Sequence, residues 1–216
     1  WGTVLGSLFG GKPLDAWGRK PTLFWIGVLY TVSAIGSGLA WDPYSFSFFR
    51  FIGGVGVGAS SVAAPAYISE ISSAASRGRL VALYQFNIVF GILIAFLSNY
   101  FLAGVGGGWD WRLMLGVEAI PAIVYTLMVW TVPESPRWLA VKKGDPLAAK
   151  QVLTRLFETS QEAEETLHAI QADATATSSK PDVPLFSRKF RFPLLLAFLL
   201  AMFNQLSGIN FILYYA

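Results

Sequence analysis

The sequence contains no cysteine and one histidine, His168. The first absence removes any disulfide framework or thiolate metal site, and the second removes a multi-histidine metal centre. Charge is scarce as well: Asp, Glu, Lys and Arg make up 13% of the 216 residues, about half the ~25% of an ordinary soluble domain. No nucleophile–base pair or metal cluster is present, so an enzyme is not expected, and neither is a metal or organic cofactor. The net charge of +3 is not gathered into a face that would suit DNA or RNA. The chain begins at Trp1, shows no signal-peptide n-region and ends in an apolar run, so it reads as an internal piece of a longer polypeptide.

Between the sparse charges lie long neutral runs. Residues 21–41, 51–69 and 80–109 carry none, and 112–131 is interrupted only by Glu118 and Pro121. Residues 192–216 form a last apolar stretch. About 20 residues at ~1.5 Å each span a ~30 Å hydrocarbon core. The expected fold class is therefore all-α, a polytopic membrane protein whose partner is the lipid bilayer. WDPYS at 41–45 reads as a turn, the third run as a helix ending near Leu102, and Gly104 to Gly108 as a flexible loop. Gly54 and Gly58 give the small-xxx-small spacing that lets a neighbouring helix approach, Pro65 is expected to kink its helix, and Arg50 and Glu70 are expected near opposite ends of that span. Of 16 Lys and Arg, 14 fall in segments 12–20, 77–79 and 137–191, and none in loops 41–45 and 104–111. Alternating loops are thus basic, and the basic ones are expected to be cytoplasmic.

Residues 140–189 are polar by contrast. Asp145-Pro146 is a helix start, and Thr159 with Glu162 fits a capping box for a second helix. Leu153, Leu156 and Phe157 would line one face of the first helix, and Leu167 and Ile170 one face of the second. His168 reads as a solvated surface residue, and 173–184 as a polar linker with little reason to be ordered. The expected division is a transmembrane bundle over 1–139, a cytoplasmic helical linker over 140–189, and a further membrane helix from 190 to 216. Two nucleotide motifs fail. Gly6-xxxx-Gly11-Lys12 has Pro13 where a phosphate-binding loop needs Ser or Thr, and 53–58 lacks the GxGxxG spacing and a flanking strand.

Several local patterns carry a family resemblance. Arg50-x-x-Gly-Gly-x-Gly-x-Gly58, then Pro65-x-Tyr67-x-x-Glu70, then Arg77-Gly78, resembles the fourth transmembrane helix of the sugar porters of the major facilitator superfamily. Gly10-Gly11, Asp15 and Gly18-Arg19-Lys20 resemble the loop between the second and third helices of major facilitators, and PESPRWL at 133–139 is a sugar-porter signature. Asn204-Gln205-Leu206-Ser207-Gly208-Ile209-Asn210 resembles the family's seventh helix, except that Asn204 stands where the usual pattern has Gln. The resemblance covers the whole chain, about half of a usual family member. It implies a partial major-facilitator helical bundle, from the end of helix two to helix seven. It further implies monosaccharide transport by alternating access, with proton symport leading and facilitated diffusion or a non-transporting sugar sensor as alternatives.

The site residues follow from the same resemblance. Gln85, in the pattern Gln85-Phe86 to Gly91, is expected to bind sugar. An amide donates and accepts at once, which suits hydroxyls, while a structural interhelical amide is the alternative. Gln205, Asn210 and Asn204 are the other sugar ligands implied, and Tyr214 and Tyr215 are either gates or interface residues. Arg50 is expected to couple to protons through an acid on the first helix, or else to be a static charge. Asp15, Arg19, Glu70, Arg77, Glu134 and Arg137 resemble a cytoplasmic charge network that gates the cavity, with Glu134 and Arg137 pairing with charges on neighbouring loops. Glu118 has no assigned role.

Overall fold

The computed structural model describes residues 1–73, 76–157, 159–178, 187 and 190–206. Among these the regular elements are all helical, as the neutral runs imply: α1 (Gly2–Phe9), α2 (Gly11–Trp17), α3 (Arg19–Leu39), α4 (Pro43–Ile71), α5 (Arg77–Leu102), α6 (Asp110–Gly116), α7 (Ala119–Met128), α8 (Pro136–Val141), α9 (Pro146–Leu156), α10 (Ser160–Ser178) and α11 (Arg191–Leu206). Among the described residues four stretches are long and apolar enough to cross a membrane: Arg19–Leu39, Pro43–Ile71, Arg77–Leu102 and Gly107–Thr131. Residues 1–174 form one compact unit and 175–216 another, which contributes α11.

In the first unit α4 lies between α1 and α3, and α3 packs in turn on α6 and α7. Glycine makes the α1–α4 contact possible. A Cβ on Gly58 would stand 2.1 Å from the Thr3 carbonyl oxygen, and one on Gly6 2.2 Å from that of Val55. The two backbones therefore touch, as the Gly54–Gly58 spacing suggests. Leu14, Leu23, Ile26, Ala63, Tyr67 and Val129 fill the core on the side of the basic loops. α5 behaves differently. Its sequence is apolar on every side, and none of its residues is buried. A helix of that kind suits lipid or partner helices rather than a polar medium.

Local chemistry sets the boundaries. Asp42 caps α4 by accepting from the backbone N–H of Tyr44 and Ser45, each at 3.2 Å, and Pro43 occupies the first helical position. Hydrogen bonding to Ser45 holds the Asp42 carboxyl below its ordinary value. This cap starts α4 inside the expected 41–45 turn, and Arg50 lies seven residues after Pro43, about 10 Å into the helix. α4 then runs through Pro65 to Ile71 as one helix. The span Gly107–Thr131 divides into α6 and α7 because Pro121 has no N–H for the Val117 carbonyl, which instead accepts from Ile120 at 3.1 Å. Asp110 closes the loop before α6, accepting from Gly104 N–H at 2.7 Å and Gly106 N–H at 2.6 Å.

In the polar segment Asp145 caps α9 through Ala148 N–H at 3.0 Å, and Thr159 accepts from Glu162 N–H at 3.3 Å at the start of α10. Leu153 is buried and His168 exposed. Lys150 reaches from α9 to Glu164 on α10 and holds that carboxyl below its ordinary value. One expectation is overturned. α10 continues to Ser178, so residues 173–178 of the supposed unstructured linker are helical.

Candidate functional site

At the end of the bundle bearing the basic loops, Arg19 opens α3 with its side chain turned back under the helix. Its Nε and Nη2 donate to the two Glu70 carboxylate oxygens, both at 2.7 Å, and both side chains are only 11% exposed. This fork-to-fork geometry is the strong form of the arginine–carboxylate bond. The remaining Nη1 donates to the Leu14 carbonyl at 3.1 Å and reaches Asp15 at 3.5 Å. Arg19 thus ties α2, α3 and the last turn of α4 together.

Glu134 completes the cluster in an unexpected way. It was expected to pair with a charged side chain. Instead its Oε1 accepts from the backbone N–H groups of Arg19 at 2.9 Å and Lys20 at 3.1 Å. A carboxylate 115 residues further along the chain therefore caps α3, where unpaired N–H groups and the helix dipole favour negative charge. Gly18 makes room for it. Its φ is +102° and ψ 171°, and a Cβ there would fall 2.5 Å from Glu134 Oε2. No other residue type satisfies both demands.

Each residue of the surrounding heptapeptide is used. The Pro133 carbonyl accepts from the Tyr67 hydroxyl at 2.7 Å. Ser135 caps α8 through Trp138 N–H at 3.1 Å, and Pro136 takes the first helical position. Trp138 Nε1 donates to the Asp15 carbonyl at 2.9 Å, and Leu139 is buried. Arg137 points away from the cluster and pairs with Asp173 on α10 at 2.7 Å. Arg77 makes no ion pair among the described residues.

The second charged centre lies inside the bundle. Arg50 on α4 meets Glu118 at the α6–α7 break at 3.4 Å, with side-chain exposures of 40% and 51%. The pair borders a cavity of about 470 Å³ lined also by Tyr30, Ser33, Gly54 and Tyr125. Glu118 is the site residue that sequence reasoning missed. Its signal was a charge within an otherwise apolar span. The partner foreseen for Arg50 is an acid on the first helix; among the described residues the carboxylate beside it is that of Glu118, 68 residues further on. Gln85 lies on an exposed face of α5 and does not line this cavity. The side chains of Asn204 and Gln205, and residues Asn210, Tyr214 and Tyr215, fall outside the described residues.

Comparison with known proteins agrees from end to end. A family model described as "sugar (and other) transporter" matches residues 1–216. A glucose transport protein of Synechocystis is 39% identical over 227 residues, covering 100% of this chain and 48% of the relative. The arabinose-proton symporter of Escherichia coli K12 is 36% identical over 215 residues, covering 100% of the chain and 45% of the relative. The partially occluded, inward-open structure of the xylose transporter XylE from E. coli superposes with a TM-score of 0.87 at 31% identity, over 100% of this chain and 52% of that one. The chain spans about half the length of the curated relatives it matches.

Proposed function

The chain belongs to the sugar transporter family of the major facilitator superfamily, and from that premise we propose that the full-length protein carries a monosaccharide across the cell membrane by alternating access, coupled to protons. The observation that carries the coupled reading is the Arg50–Glu118 pair beside a cavity within an apolar bundle. Ionisable groups at membrane depth are costly and tend to mark ion or proton pathways. Protonating a carboxyl opposite Arg50 would release the guanidinium and bias the bundle toward another arrangement, which is how a bound proton shifts a conformational equilibrium. The symporters among the relatives, for arabinose and for D-xylose, support the same mode.

In this reading the basic loops and residues 140–189 face the cytoplasm, 1–139 is the first half of the transporter, and α11 begins the second. Gln85, Asn204, Gln205 and Asn210 are the proposed sugar ligands, as the resemblance to the sugar porters implies, for a substrate bound near the midplane. Asp15, Arg19, Glu70, Arg77, Glu134 and Arg137 form the proposed gating group. The Arg19–Glu70–Glu134 cluster supports a rigid cytoplasmic end for the first half, a body able to rock as one piece.

The test is uptake of labelled glucose, xylose and arabinose by the full-length protein in proteoliposomes. Accumulation above equilibrium only under an inward proton gradient is the expected result. Equilibration independent of the gradient would replace symport by facilitated diffusion, and no uptake would favour a sensor.

A further inference from the structure

Arg50 and Arg112 are the two basic residues outside the basic segments, and the transport reading uses only the first. Arg112 sits on α6 at the opposite end of the bundle from Glu70 and Glu134. Its guanidinium carbon lies 4.4 Å from the Trp109 ring centroid and 4.9 Å from that of Trp111. No ion pair to Arg112 exists among the described residues, although two acids lie in the adjoining loops. Both are engaged: Asp42 caps α4, and Asp110 binds the Gly104 and Gly106 amides. The cation is held by aromatic faces and has no counter-charge among the described residues.

The surroundings of Arg112 form an elongated slot. On one side Trp41, Phe46 and Trp111 frame a hollow of about 390 Å³. On the other a groove of about 370 Å³ runs between α3 and α6 along Ile35, Leu39, Leu113 and the close Gly38–Gly116 contact. A Cβ on Gly38 would lie 3.2 Å from Gly116 Cα, so two side-chain-free backbones form the groove floor. Exposed tryptophans at helix ends mark the membrane–water interface, and Trp41, Trp109 and Trp111 are all exposed at this level. A cation at the interface thus heads an apolar groove that descends into the hydrocarbon.

We propose that this slot holds a phospholipid of the leaflet opposite the basic loops, with its phosphate on Arg112 and an acyl chain in the α3–α6 groove. Charge complementarity selects the occupant. A guanidinium without a carboxylate partner matches a phosphate, and the groove walls below it offer only apolar contact, which a sugar would not use. A single free cation favours a net-anionic headgroup such as phosphatidylglycerol over zwitterionic phosphatidylcholine. The proposal requires only that the helices sit in a bilayer, and it stands apart from what the protein transports.

Native mass spectrometry of the full-length protein, released from detergent with added phosphatidylglycerol, phosphatidylcholine or inorganic phosphate, tests it. The expected result is one phosphatidylglycerol that survives collisional stripping of the others. Arg112→Gln should weaken it about fivefold, the effect of one interfacial cation, and Arg112→Lys less. Ile35→Trp fills the groove while leaving the cation intact, and should weaken it too. Equal retention by wild type, Arg112→Gln and Ile35→Trp would overturn the proposal, as would a wild type that retains no lipid. Loss with Arg112→Gln but not with Ile35→Trp, together with a bound inorganic phosphate, would mean a plain anion site instead. If Arg112→Gln does not fold, Ile35→Trp decides alone.

Discussion

Glu70 lies in the last turn of α4 and Arg50 in its second, and each pairs with an opposite charge, Arg19 on α3 and Glu118 at the α6–α7 break. The bonds they make are unlike. Glu70 receives two parallel 2.7 Å hydrogen bonds from Arg19, with both side chains 11% exposed, whereas Arg50 touches Glu118 through a single 3.4 Å contact with half-open side chains. The first pair is further fixed by neighbours: Arg19 also holds Leu14 and Asp15, and its own N–H is capped by Glu134. The second has space beside it. A charge pair that is desolvated and fully hydrogen-bonded is expensive to separate. One that is loosely made beside a cavity is cheap to separate and therefore suited to a changing protonation state.

The sharpest way to break this contrast is to remove one partner of the buried pair. Arg19→Leu leaves the Glu70 carboxylate buried without its partner, and such changes cost about 3–5 kcal/mol. Thermal unfolding of the purified full-length protein should show a correspondingly large drop in midpoint. Arg19→Leu/Glu70→Leu should recover most of the loss, since replacing both charges removes the uncompensated one. A drop under about 1 kcal/mol for Arg19→Leu would place this pair with ordinary surface bridges.

Gly18→Ala sharpens the same region at smaller cost. The backbone region it occupies is essentially open to glycine alone, and forcing another residue there costs about 1–3 kcal/mol. Part of that cost comes from the approach of Glu134, so Gly18→Ala should be less damaging when Glu134 is already Ala. A double-mutant cycle read by unfolding midpoints checks the coupling. Strict additivity would show that the carboxylate and the glycine act independently.

What the sequence made legible was whatever is written locally. Helix boundaries at Asp145-Pro146 and Leu102 depend on a cap and on the end of a neutral run, and the close α1–α4 approach depends on glycine spacing; Asp42-Pro43 read as a turn, whereas it starts α4. Long-range partner choice was not legible. Glu134 looked like half of an ion pair because backbone N–H donors leave no trace in side-chain composition. Arg137 found its partner at Asp173, in a stretch whose small polar residues suggested a linker, although that stretch extends a helix already nucleated and capped at Thr159. Glu118 was conspicuous as a charge in an apolar span, but only packing could bring it to Arg50.

Glu118→Gln carries the smallest expected stability effect and the most direct reading of the contrast. Gln keeps the shape and a hydrogen-bond acceptor for Arg50, so loss of a half-exposed pair should change stability by no more than about 1 kcal/mol. Its effect should appear in transport instead. With a titratable carboxyl removed from the cavity, the gradient dependence of uptake should weaken while downhill equilibration and sugar counterflow persist. Arg50→Gln should have the same signature if the two side chains act as a unit, and the double variant should then be no worse than either single one. If Glu118→Gln instead lowers the unfolding midpoint as far as Arg19→Leu does, the pair is a structural tie like its counterpart at the other end of α4. Unchanged stability and unchanged gradient dependence together would leave Glu118 outside the coupling step, and the carboxyl that answers Arg50 would have to be sought elsewhere in the full-length chain.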